Sequence, residues 1–433
     1  MIKTEPGLRR SLTQFDTTLL VVGGIIGTGV FFNTSNVAHH VHTPQLILGV
    51  WLLGGFIALI GALSYAELAA MMPEVGGEYA FLREGWGRLV AFLYGWTMIL
   101  VICSGALAAV SMKFAESLLA MVALPIGPKM LALAALWICA MINYFGVKPG
   151  AIVQNIFTIG KLAALAALVI LGLSSPHVAA AASTTVTHDG NLLVAIGAAL
   201  APVLFSYGGW QSSTYTAAEV QDPSRTLPRA LIAGIIVVIA VYLSAAVVYL
   251  RVLPVEAIRN SNTLATDVAR ALIGERGAQF ISLAIVVSTF GFINMTVLTA
   301  PRVFFAMALD GLLVGPAAYI HPKHRTPVAV LLFFTAWASV MLLAGSYDSL
   351  LSYTTFGDWI FFGLTMAALF RLRYTRPNAV RPYKAWDYPV LPAIFVIVAF
   401  SFVILNFIAN QPQTSYGAAL IVAGIPVYYI IRK

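Results

Sequence analysis

Charge is what this 433-residue sequence has least of: Asp, Glu, Lys and Arg make up 10% of it while 60% is hydrophobic. Soluble domains carry roughly 25% charged residues, so most of this chain cannot face water and belongs in a bilayer. Cysteine is almost absent. Cys103 and Cys139 both fall inside apolar runs, which excludes a disulfide framework and metal-ligand spacing. No small-residue cleavage site follows a short apolar core near the N-terminus, so the first apolar stretch is expected to be the targeting signal itself. Nor is a separate soluble domain expected, because the longest predicted polar connector, Leu253 to Arg276, is too short to bury a core. Its charged, amphipathic pattern predicts a surface helix. The net charge of +8 is spread over short connectors rather than one face, which argues for membrane topology and against nucleic acid.

What is present is a series of apolar stretches of about 20 residues, each long enough to cross a bilayer as a helix. The pattern predicts twelve: 13–38, 45–71, 88–118, 129–146, 150–174, 191–218, 228–252, 277–307, 326–344, 349–370, 388–409 and 414–431. An even number puts both termini on one side. With that side inside, 18 of the 25 basic residues fall on it and six outside, with Lys161 left within a span, so cytoplasmic termini are expected.

Two predicted spans are interrupted by glycine: GGIIGTG at Gly23 to Gly29 in the first and SYGGW at Ser206 to Trp210 in the sixth. Interrupted spans at corresponding places point to an inverted-repeat transporter, with residues 1–174 and 191–370 as the repeats and 388–431 as two added helices, all in one transmembrane domain. Glycine clusters at mid-membrane expose backbone that needs a polar partner. The outer half-helix offers N–H groups and partial positive charge to a carboxylate; the inner half-helix offers carbonyls to an ammonium. An α-amino acid has both. The carboxylate is therefore assigned to the amides of Gly27, Thr28 and Gly29, with the Thr28 hydroxyl as a further donor, and the amino group to the carbonyls of Ile25, Phe205 and Gly208. Close helix packing is the alternative use of these glycines, evenly balanced for Gly24 alone.

The runs GGIIGTGVF in the first span, SYAELAAMMPEVGGEYAFLREGWG from Ser64 to Gly87, INYFGVKPGAIVQNIFTIGK from Ile142 to Lys161, and FSYGGWQSSTYTAAEVQDPSRTLPRA from Phe205 to Ala230 resemble the amino acid–polyamine–organocation superfamily, and most of all its L-type amino acid transporter branch. The resemblance extends to at least Pro316. It implies an all-α, LeuT-like fold of five plus five helices with two extra, alternating access, and uptake or exchange of amino acids without ATP hydrolysis. It also implies site residues at Ile25, Gly27, Thr28, Gly29, Phe205 and Gly208, with Phe205 as an aromatic gate. Eukaryotic heteromeric members of the branch carry a cysteine between spans three and four that bonds a glycoprotein partner. Residues 119–128, LAMVALPIGP, have none, so no disulfide-linked heavy chain is expected, and a stand-alone carrier of a prokaryotic plasma membrane fits the short tails and Ala-rich spans.

Lys161 lies about 11 residues from either end of its predicted span, roughly 16 Å, beyond the reach of a snorkelling side chain. Such a lysine costs about 2.5–3.5 kcal/mol on insertion scales and should face the bundle interior. By the resemblance, its ammonium takes the place where sodium-coupled relatives hold a cation, with Gly27 and Ser288 or Thr289 as partners. Burial disfavours an ammonium, so the same residue is a candidate for proton coupling; a fixed charge tying two spans together is the plainer reading.

Other residues carry less. Glu67 and Glu78, with Arg83 and Arg88, are expected to form cytoplasmic ion pairs rather than a catalytic carboxylate pair. His39, His40 and His42 form a polar turn rather than a zinc site. Tyr207, Trp210 and Gln211 beside the second break either line a pocket or pack helices. Asn294 is expected to link helices. Neither an enzyme nor a cofactor is implied, and neither a channel, for want of a repeated filter motif, nor a sensor, given the short tails, is expected. Because no acidic residue is evident near either break, neutral L-amino acids are favoured over cationic amino acids or polyamines, with exchange and proton symport both open.

Overall fold

The apolar stretches fold as helices because a chain without water must satisfy its backbone internally. A computed structural model describes residues 8–175, 191–313, 315–344, 347–409 and 411–432, of which 347–355 and 413 by backbone only. The predicted N-terminal residues 1–7 and the connector 176–190 lie outside the described residues. In chain order the α-helices are α1 Gln14–Ile25, α2 Gly29–His40, α3 Pro44–Met71, α4 Glu78–Trp86, α5 Arg88–Thr97, α6 Cys103–Met121, α7 Pro128–Tyr144, α8 Val147–Ser174 and α9 Leu192–Ser206. They continue with α10 Ser212–Tyr215, α11 Pro223–Val252, α12 Val255–Arg259, α13 Leu264–Ile273, α14 Glu275–Leu309, α15 Val328–Ala344, α16 Tyr347–Thr375, α17 Val390–Ala409 and α18 Gln413–Ile431. Among the described residues, eight helical stretches are long and apolar enough to cross a membrane, and α7, α9 and α15 are shorter apolar helices.

Local chemistry sets the ends. Thr13 caps α1 by accepting from the Asp16 amide, while the Asp16 carboxylate accepts from the Thr13 amide, a reciprocal capping box. Proline stands in the first turn of α3, α7 and α11, where the missing N–H removes no helical hydrogen bond. One departure inside a long helix had no signal in the periodicity: Met98–Ile102, between α5 and α6, is a π-helical turn. Such turns re-aim side chains and cluster at functional sites.

The connector expected to form one surface helix forms two, α12 and α13, and α13 is not simply laid on the surface. Its apolar face, Leu264, Ala265, Val268 and Ala269, is buried, and it packs on α14 and α2. The pattern was amphipathic because one side of the helix covers the bundle. Around the centre, α1 packs on α8 and α11, α2 on α9, and α14 on α6 and α8. Two large apolar clusters form most of the core, one around α1, α3, α9 and α11, the other around α5 to α7, α14 and α15, with a small third of Ala108, Ala115, Ala132 and Leu342. The break in the first helical stretch belongs to the first of these, through Ile25 and Ile26.

Candidate functional site

Helix α1 ends at Ile25 and α2 begins at Gly29, so residues 26–28 are the unwound link. The second break runs from Tyr207 to Gln211, between α9 and α10. The two breaks touch through backbone. A Cβ on Gly24 would lie 2.8 Å from the Gly209 carbonyl oxygen, and one on Gly209, whose φ is +102°, would lie 2.3 Å from the Gly24 carbonyl oxygen. Only glycine allows that approach, so at Gly24 the packing use of the residue is the one realised. Gly27 differs. A Cβ there would meet nothing closer than 4.0 Å, and the residue lines a cavity.

That cavity, of about 130 Å³, has room for a small molecule, since one water needs only about 10–15 Å³. Gly24, Ile25, Gly27, Thr28, Gly29, Phe205, Gly208 and Gln211 line it from the breaks. Met98 and Ile102 of the π-turn, Cys103, Phe292, Thr289 of α14 and Phe362 of α16 close the other sides. The amides that open α2 have no partners inside their own helix and carry its positive end. Of the carbonyls, Ile25 O accepts from the Gly27 amide at 2.8 Å and from the Tyr242 hydroxyl at 3.0 Å, which occupies both its lone pairs. Phe205 O accepts from the Gly208 amide at 3.1 Å. The Gln211 side-chain oxygen accepts from the Gly209 amide at 3.0 Å, holding the second break in shape.

Lys161, fully buried on α8, donates to Gly23 O at 2.9 Å and Ile26 O at 2.5 Å. Ser288 reaches the same segment, its hydroxyl 3.3 Å from Ile26 O and 3.1 Å from Gly27 O. An ammonium and a hydroxyl thus occupy the carbonyls freed where α1 unwinds. Thr289 instead bonds back to Ile285 O and Val286 O of its own helix.

Several features of the site had no signal in the local sequence. Tyr242 of α11 places its hydroxyl 3.0 Å from both Ile25 O and Ser206 O, so one proton is shared between the two breaks. Asn33 of α2 donates to Ser206 Oγ at 2.7 Å and Pro202 O at 3.0 Å, joining the outer half-helix to the turn before the second break. Asp358 of α16 lines the cavity and is the one Asp, Glu, Lys or Arg among the described lining residues. The expectation that no acidic group adjoins the breaks is therefore overturned; Asp358 lies about 330 residues from the first break in sequence, and only the fold brings it there.

The ion pairs expected around the second connector are also rearranged. Glu67 pairs with Arg373 at 2.6 Å and Arg381 at 3.1 Å, and Arg83 pairs with Glu74, Glu84 and Asp310, while Arg88 donates to the Asp310 carbonyl. Glu78 has hydroxyl partners instead: Tyr65 at 2.9 Å, Tyr94 at 3.1 Å and Thr365 at 3.1 Å. Its carboxyl is pushed up to about 7, because burial opposes the charge more than these donors stabilise it. Asn294 links helices, donating to Gly150 O and accepting from Asn143. Trp210 packs edge-on against Tyr65 and stacks on Phe362.

A sequence model of the family described as amino acid permease matches residues 12–431. The chain is 32% identical to the serine/threonine exchanger SteT of Bacillus subtilis (strain 168), over 99% of this chain and 98% of that one. It is 31% identical to the human large neutral amino acids transporter small subunit 2, over 98% and 80%. It is 30% identical to the human b(0,+)-type amino acid transporter 1, over 98% and 88%. Helical stretches able to cross a bilayer, two broken helices meeting over one cavity and a family match along nearly the whole chain agree: this is an integral membrane protein of the amino acid permease family, within the amino acid–polyamine–organocation superfamily and akin to its L-type branch, and its work is secondary transport of amino acids rather than enzymatic chemistry.

Proposed function

We propose that the chain carries neutral L-amino acids by alternating access, as an exchanger or a proton-coupled symporter, with the substrate's α-amino and α-carboxyl groups held at the two breaks. The observation that carries this reading is the backbone contact of Gly24 with Gly209, which sets both breaks against one cavity. Amides of Thr28 and Gly29 suit the carboxylate, and that of Gly27 joins them once it releases Ile25 O. Carbonyls of Phe205 and Gly208 suit the ammonium, with Ile25 O sharing it when Tyr242 turns away, and Phe205 and Gln211 bound the side-chain space. Lys161 is the coupling candidate: with Ser288 it fills the cation position beside the first break, and Thr289 faces the cavity from the same helix as Ser288.

Twelve spans fit the eight long apolar stretches, the three shorter apolar helices and α16. In this arrangement residues 1–174 and 191–370 form the inverted repeats and 388–431 the added pair. The distribution of basic residues supports cytoplasmic termini in a prokaryotic plasma membrane, and the cysteine-free segment 119–128 supports a carrier without a disulfide-linked heavy chain. The names of the relatives, a serine/threonine exchanger and a transporter of large neutral amino acids, favour a neutral cargo. A second reading, cationic amino acids or polyamines, is favoured by Asp358 alone, since an aspartate in an otherwise uncharged cavity suits a cationic tip.

Counterflow of a full amino-acid panel into proteoliposomes tests both. Saturable exchange of neutral amino acids is expected, with Lys161→Ala lowering affinity or turnover. Lysine or a diamine outcompeting every neutral substrate would select the second reading. No exchange of any member would reject the site.

A further inference from the structure

Buried carboxylates in this protein are paired with cations, with two exceptions among the described residues, the cavity-lining Asp358 and Glu78. Asp16 has Lys148 at 2.6 Å, Glu67 has Arg373 and Arg381, and Glu219 has Arg302 at 2.8 Å. Glu78 is 1% exposed and is bound by three hydroxyls alone. A buried anion without a countercharge is costly, whereas the protonated acid at the same place is not.

The hydroxyls also lead somewhere. The Tyr94 hydroxyl lies 3.1 Å from Glu78 Oε2 and 2.8 Å from the hydroxyl of Tyr215. Tyr215 lines the substrate cavity. Tyr94 has one proton to give, so the chain has two orientations: Tyr215 to Tyr94 to carboxylate, or carboxylic acid to Tyr94 to Tyr215. The groups around Glu78 come from every side: Tyr65 on α3, Tyr94 on α5, Cys103 on α6, Tyr215 on α10, Thr365 and Asp358 on α16. No lysine or arginine is among them. Arg83, on the same helix as Glu78, is taken by Glu74, Glu84 and Asp310.

We propose that Glu78 is the proton-binding site of a proton-coupled amino acid carrier, reached from the substrate cavity through Tyr215 and Tyr94. In the loading step a proton from cavity water binds the Tyr215 oxygen as Tyr215 passes its own to Tyr94. Tyr94 in turn passes its own to Glu78 Oε2, so the carboxylate becomes an acid and both tyrosines remain neutral. Unloading reverses the order. Thr365 on α16 and Tyr65 on α3 tie the same carboxyl to the helices that carry Phe362 and face Trp210, so its charge state bears on the walls of the cavity. The position of Glu78 between four elements gives a proton a mechanical consequence.

The inference rests on the reading of the chain as an amino acid carrier, and the two are measured in the same vesicles. Purified full-length protein is reconstituted with a trapped pH dye, and a neutral amino acid is added outside while tracer counterflow is followed in parallel. The wild type is expected to acidify the lumen with substrate. Glu78→Gln is expected to lose acidification while counterflow, which needs no net proton movement, remains measurable; Tyr94→Phe, which keeps the carboxylate and breaks the relay, is expected to do the same. Counterflow without acidification in the wild type overturns the proton site alone. Loss of both overturns the transport reading and the proton site with it. Acidification that survives in Glu78→Gln and Tyr94→Phe also overturns the proposal and moves the coupling to Lys161.

Discussion

Glu78 has a stability signature separate from transport. A carboxyl whose folded value is raised from 4.5 to about 7 binds more protons folded than unfolded between those limits. Stability therefore falls as pH rises through that window and is level above it. A shift of this size corresponds to a loss on the order of 3 kcal/mol. Glu78→Gln removes the charge and should flatten the dependence: thermal unfolding of the two proteins is expected to coincide near pH 5, with the variant the more stable at pH 8. Parallel curves at the two pH values would show that Glu78 stays ionised in the fold.

At the scale of elements, the breaks assign different work to glycines that look alike in the sequence. Gly24 and Gly209 are where the end of α1 and the second break cross backbone to backbone, and Gly209 also has a φ of +102° that an L side chain rarely adopts. Alanine at Gly209 therefore adds backbone strain of about 1–3 kcal/mol to the contact with Gly24 O, and transport should be lost with much of the thermal stability. Gly27 has open space, so Gly27→Ala should leave stability within about 1 kcal/mol of the wild type. Its methyl group enters the cavity, and a rise of about tenfold in KM, 1.4 kcal/mol of binding, is expected. Equal damage to folding by both substitutions would place the cavity elsewhere. The sequence GGIIGTG announces that the first helix breaks, and SYGGW announces the second, because glycine in an apolar run is a local signal. Which glycine packs and which faces a ligand depends on an encounter between residues 185 apart. The same limit hid Tyr242, Asn33 and Asp358. Each lies in an ordinary helical stretch, and each acquires its role only from what the fold sets opposite it. Lys161 was legible for the opposite reason: a lysine deep in an apolar span must find carbonyls wherever the chain is unwound, and the break in α1 supplies them.

For the whole molecule, alternating access makes a claim about the cavity that the chain can report itself, since its two cysteines occupy contrasting places. Cys103 follows the π-turn and lines the cavity, whereas Cys139 is buried in α7 away from it. A charged, membrane-impermeant thiol reagent should therefore inhibit transport through Cys103, with Cys103→Ser resistant and Cys139→Ser as sensitive as the wild type. With an amino acid at the proposed site, between the breaks and the π-turn, a saturating neutral substrate should slow the modification. Access is the decisive part. In oriented vesicles the reagent should reach Cys103 from either face, at rates that change in opposite directions when the amino acid is supplied on one side, because each turn of the carrier closes one approach as it opens the other. Modification from one face alone, indifferent to substrate, would describe a fixed cleft and would overturn the alternating access proposed for the broken helices.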